Sequence, residues 1–91
     1  MLFFKCRLSF NEVVALEKQL PGEVFCVSRD PVDQYHYGVV KPTAFSQFLN
    51  VLSGETLEQL EYLSDEEFQQ ALSIMRRKKV ALSGNRELLN E

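Results

Sequence analysis

Tryptophan is absent, histidine occurs once, at position 36, and there are only two cysteines. A lone histidine rules out paired-histidine zinc spacings. There is no Cys-x-x-Cys pair and no EF-hand loop. No Gly-x-Ser-x-Gly elbow presents a serine nucleophile. The one arrangement left for nucleophilic chemistry is Cys6 or Cys26 meeting His36 across neighbouring strands. Nothing beside either cysteine in sequence would acidify a thiol, so a non-enzymatic chain is expected, with no catalytic residues, no metal and no cofactor. The four glycines, Gly22, Gly38, Gly54 and Gly84, stand apart from one another, so no loop cradles a phosphate.

Other absences bound the setting. Two cysteines are too few for a disulfide scaffold. Cys6 and Cys26 both fall in apolar, strand-like runs, and both are expected to be buried free thiols in a reducing compartment. No run approaches the roughly 18 apolar residues of a membrane span. Met1-Leu2-Phe3-Phe4 is too short for a signal core, and Lys5 and Arg7 lie on its wrong side. A cytoplasmic protein with no membrane partner is expected. The net charge of −3 lacks the basic excess usual in nucleic-acid binders.

What the chain has is apolar content. Hydrophobic residues make up 45% of its 91 positions, with seven Phe and three Tyr. That suffices for one core and argues against disorder. A single domain is expected, β-rich over 1–41 and helical over 42–84, with a tail at 85–91 that carries only Leu88 and Leu89 and is prone to fray.

The periodicity changes near Lys41. Leu2, Phe4, Cys6 and Leu8 alternate with Phe3, Lys5 and Arg7, which predicts a strand over 1–8. Ser9 and Glu12 have capping-box spacing ahead of Phe10, Val13, Val14 and Leu20, and Pro21-Gly22 ends that helix. Residues 23–28 form a continuous apolar run, the pattern of a well-buried strand. A six-residue connection, Arg29 to Gln34, leads to a third strand over 35–40, where Gly38 marks a bulge or a close backbone approach. Pro42-Thr43 then opens the helical half. Phe45, Phe48, Leu49 and Leu52 form one apolar stripe ending at Ser53-Gly54. Leu57, Leu60 and Leu63 predict a second short helix. Ser64 and Glu67 repeat the capping box before the longest helix, at about 65–80, with Phe68, Ala71, Leu72 and Met75 inward and Leu82-Ser83-Gly84 as its break. The order β-α-β-β-α-α-α predicts an α+β fold: a small three-stranded sheet, one face buried under a C-terminal group of two to three helices.

Two features invite a binding role. Arg76-Arg77-Lys78-Lys79 places four cations at the expected end of the long helix. The macrodipole accounts for one or two of them, and four exceed what capping requires. Tyr35 and Tyr37 share a strand face with Val39, as a platform or as a protein-binding patch. Sheets that bind RNA use aromatics in this way, but their glycine–aromatic signature and strand order are absent. The acidic stretch Glu55 to Glu67 follows the solvent faces of its helices rather than a cation site. The first reading is an interaction protein that regulates, inhibits or adapts a larger protein through Arg76, Arg77, Lys78, Lys79, Tyr35 and Tyr37, with a homodimer as one way to cover a second apolar sheet face. The second is a nucleic-acid-binding regulator that uses the basic block.

Overall fold

The computed structural model describes the backbone of residues 1–90 and the side chains of residues 1–80. The expected α+β class is found. The elements are β1 (Leu2–Cys6), α1 (Phe10–Gln19), β2 (Val24–Arg29), β3 (His36–Val40), a 3-10 turn (Pro42–Ala44), α2 (Phe45–Val51), α3 (Gly54–Gln59), β4 (Glu61–Leu63) and α4 (Asp65–Asn90). The sheet has four strands rather than three, in the order β2-β3-β1-β4, with every neighbouring pair antiparallel. This is the connectivity of the ferredoxin-like double split βαβ.

The fourth strand escapes a sequence reading because Glu61-Tyr62-Leu63 is three residues long and its leucine continues the helical spacing of Leu57 and Leu60. Its structure comes from pairing Phe3↔Leu63 and Lys5↔Glu61, closed by a 3.1 Å ion pair between Lys5 and Glu61. Capping marks the ends of α1 as expected. The Ser9 hydroxyl accepts from the Glu12 N–H, and Glu12 reaches back to the Ser9 N–H. Ser64 and Glu67 form the same reciprocal pair at the start of α4. Gly54 opens α3 behind the Ser53 cap, so Ser53-Gly54 is at once a stop and a start.

Alternation along β1 and β3 divides the apolar residues between two faces. Phe4, Cys6 and Val40 point to one side, where Leu16 and Leu20 of the α1 region, Phe48 and Leu52 close a core. Phe3, Tyr37 and Val39 point to the other, against Phe68, Ala71, Leu72 and Met75 of α4. The molecule therefore has helices on both sheet faces instead of one. The second apolar face, for which a homodimer had seemed a natural cover, is covered by α4.

Three further expectations are corrected. The strand at 24–29 is an outer strand, not a buried one, with Phe25 45% and Val27 51% exposed. Its apolar run mimics a central strand because its outer edge is not masked by charge. Phe10, which heads the helical apolar pattern, is 80% exposed, and α1 instead buries Leu16. The long helix does not break at Leu82-Ser83-Gly84 but runs to Asn90. One glycine costs a helix about 1 kcal/mol, and Ala81, Leu82, Arg86 and Glu87 around it are good helix formers.

Of the two alternatives expected of Gly38, the close backbone approach is found there, and the bulge lies in the facing strand. A Cβ there would lie 2.5 Å from the Phe25 carbonyl oxygen and 2.6 Å from the Phe4 ring. Beside it, the β2–β3 register shifts between Cys26 and Ser28, leaving Val27 as an extra residue.

Candidate interaction surface

The basic block lies in the middle of α4 rather than at its end, so the macrodipole does not explain it. Its four cations have separate fates. Lys78 turns back to Asp30, with Nζ 2.8 Å from Oδ2. Lys79 donates to the Ser28 hydroxyl at 3.0 Å. Arg76 and Arg77 are exposed, and neither makes an ion pair among the described residues. Helix α4 thus starts beside β4, crosses the sheet over Phe3 and Tyr37, and is fastened to β2 and the β2–β3 loop by two lysines.

Asp30 is the anchor of that fastening. It is 3% exposed, and its Oδ1 accepts from the N–H groups of Val32 and Asp33. Burial works to raise its carboxyl pKa. The Lys78 hydrogen bond, the two backbone donors and the Lys78 charge outweigh burial and hold it below the usual range. Spacing alone hides this contact, because the partners lie 48 residues apart.

The tyrosines are not an open platform. Tyr37 is 8% exposed and lies between the sheet and α4. Tyr35 is half-buried beside the same cluster, with Arg7 4.6 Å and Lys5 5.2 Å from its ring centre. Arg7 also donates to the Asp33 carbonyl. The strand order of RNA-binding sheets, expected to be absent, is present: β2-β3-β1-β4 is the ferredoxin-like order those four-stranded sheets share, so strand order does not separate this chain from them. Its covering helix does.

The cysteine and histidine placements are informative. Cys6 stands directly opposite His36 in the β1–β3 register. Cys6 is fully buried, and burial pushes its thiol up to about 12, with smaller pushes from Cys26 and Glu12. His36 Nδ1 accepts the Leu8 N–H at 3.2 Å. A protonated thiol beside an imidazole already engaged through Nδ1 is not an activated nucleophile–base pair. Cys26 is a free thiol as expected, but it is exposed. Among the described residues, no group of three His, Cys, Asp or Glu side chains converges as a metal site.

A polar hub was missed in the sequence. Glu12 accepts from the N–H groups of Ser9 and Ser53 and from the buried Thr56 hydroxyl, at 2.8–3.0 Å. It joins the starts of α1 and α3 in a cleft of about 360 Å³. Burial works to raise the Glu12 carboxyl, and these donors prevail and lower it. The carboxylate is fully engaged within the fold and fills the anion position itself.

The two outer edges of the sheet differ in charge. Around β4 stand Glu58, Glu61, Asp65 and Glu66. Around β2 stand Arg29, Arg76 and Lys79, with Glu17 and Glu23 near its start. No protein-family model, no curated protein and no solved structure matches the chain. No helix among the described residues is long and apolar enough to cross a membrane.

Proposed function

We propose that the chain is a small non-enzymatic interaction protein that regulates, inhibits or adapts a larger protein partner in the cytoplasm. One observation carries this reading. Lys78 and Lys79 are engaged within the fold, whereas Arg76 and Arg77 stand exposed, and Arg76 shares a groove with Val27 of an outer strand that also exposes Phe25. Arginine next to exposed apolar side chains is a composition typical of protein interfaces. Tyr37, buried under α4, contributes by holding that helix in place, and Tyr35 by holding Lys5 and Arg7.

The nucleic-acid reading draws on the same block, helped by Lys41 and by Arg86, whose side chain lies outside the described residues. Two facts weigh against it: the net charge of −3, and the engagement of two of the block's four cations. The experiment is capture from the native source by the parent and by an Arg76→Glu, Arg77→Glu variant, after circular dichroism shows the variant folded. The captured protein is then purified and titrated. Loss of its binding in the variant supports the proposal. Salt-sensitive binding of mixed DNA or RNA by the parent, lost in the variant, overturns it in favour of the second reading.

A further inference from the structure

Strand β2 is bonded to β3 along one side only, and no described strand lies on its other side. The Lys41 N–H bonds the Glu23 carbonyl at 2.9 Å, which fixes the alternation. Backbone groups of Phe25 face β3, and those of Val24 and Cys26 face outward. An outer strand is ordinarily blunted by lysine, proline or a covering element. The six residues of β2 include no lysine and no proline. The bulge at Val27 does not mask the edge. It places Val27 on the wall of a groove of about 180 Å³ between β2 and α4, completed by Ser28, Leu72, Arg76 and Lys79.

The charge around this edge selects its occupant. On the α4 side Arg76 and Lys79 line the groove, and Arg29 ends the strand; on the other side Glu17 lies beside Val24 and Cys26, and Glu23 precedes the strand. No carboxylate lines the groove. A second copy presenting its own β2 antiparallel would bring Arg29 toward Glu23, but the six residues of that strand include no carboxylate to meet Arg76 and Lys79. A second copy presenting β4 would offer three residues, of which Glu61 is already paired with Lys5. An acidic strand from another protein meets neither obstacle.

We infer that the outer edge of β2 receives an extended segment of the partner as a fifth strand, whose residues on the α4 side set apolar side chains against Phe25 and Val27 and a carboxylate toward Arg76. Main-chain hydrogen bonds to Val24 and Cys26 hold the segment, and the groove reads its side chains. This rests on the interaction reading above and gives that partner a chemistry.

The test selects a phage-displayed library of random peptides on the immobilised full chain, then follows amide hydrogen exchange with the recovered peptides. The expected sequences carry apolar and acidic residues at every second position, which share one strand face, and contain no proline. They slow exchange at Val24 and Cys26, and they lose affinity on the order of tenfold with Arg76→Glu, because a like charge then faces the acidic side chains. Cys26→Pro, which removes one outward N–H at a position where an edge strand tolerates proline, weakens binding in the same way. The exchange measurement on the unaltered chain stands whether or not that variant folds. Recovery of no peptide, of basic peptides, or of peptides that leave β2 exchange unchanged overturns the inference. So does concentration-dependent dimerisation that protects the same amides without peptide. If Arg76→Glu, Arg77→Glu abolishes native-partner binding while β2 exchange is unaffected by that partner, the interaction reading stands and the fifth strand falls.

Discussion

Lys78 and Asp30 form a 2.8 Å ion pair that ties the middle of α4 to the loop between β2 and β3, with the carboxylate buried and the ammonium near the surface. Asp30→Ala removes the acceptor for three donors. It should lower stability by about 1–3 kcal/mol in urea denaturation. The pair also sets an acid limit. The folded carboxyl is held below its unfolded value, so its contribution is complete above the ordinary Asp range. It is lost as pH falls through that range and then through the lowered folded value. Urea midpoints measured downward from about pH 5 should fall less steeply in Asp30→Ala than in the parent.

Glu12→Gln keeps the size of the side chain but offers one carbonyl oxygen where the carboxylate has two. The N–H groups of Ser9 and Ser53 and the Thr56 hydroxyl then compete for it. A loss of about 1–3 kcal/mol is expected, read as a lower urea midpoint at unchanged slope.

His36 supplies a second pH dependence, with the opposite charge type and the same direction. Burial, and then the Arg29 charge, hold its pKa below the ordinary value, with Glu12 opposing. Below about pH 6.5 the unfolded chain takes up a proton that the folded chain resists, so stability falls as the solution is acidified. Protonation also removes the Nδ1 acceptor from Leu8. NMR titration of the imidazole should give a midpoint below that of the unfolded chain. A midpoint above it would show that this contact is absent in solution.

The two phenylalanines of the α2 stripe should separate. Phe48 is fully buried against Phe4, with ring centres 4.8 Å apart, and Phe48→Ala should cost about 3–5 kcal/mol. Phe45 is only partly buried and touches Tyr62 at the margin, so Phe45→Ala should cost about half as much. Equal shifts in melting temperature would contradict the register of this helix.

Cys26 should react with a thiol reagent in the folded protein, and Cys6 only after unfolding. Mass spectrometry of the labelled native chain should show one adduct, at Cys26. Two rapid adducts would mean that the β1–α1 core opens readily.

Much of the fold was legible where a local pattern has one meaning. Ser9–Glu12 and Ser64–Glu67 mark helix starts through reciprocal hydrogen bonds, which depend only on spacing. The alternation of β1 and the stripe through Phe48 and Leu52 are likewise local. The misread parts turn on distant partners. Val24 to Ser28 has the same apolar run whether it is central or outer, and only the sheet order decides. Glu61 to Leu63 becomes a strand because β1 has a free edge beside it. The candidate site was partly legible. The run Arg76 to Lys79 is visible in the sequence. That Lys78 and Lys79 turn inward while Arg76 and Arg77 remain outside depends on Asp30 and Ser28, which only the crossing of α4 brings near.

The carboxylates around β4, and the excess of cations over Glu17 and Glu23 around β2, give the molecule a transverse electric dipole, with the β4 side negative relative to β2. In the field of an acidic partner it turns its β2 side forward before any contact forms, which raises the fraction of productive encounters. Salt removes that alignment over distances beyond roughly 8 Å at physiological ionic strength, so the association rate should fall with salt more steeply than the dissociation rate rises.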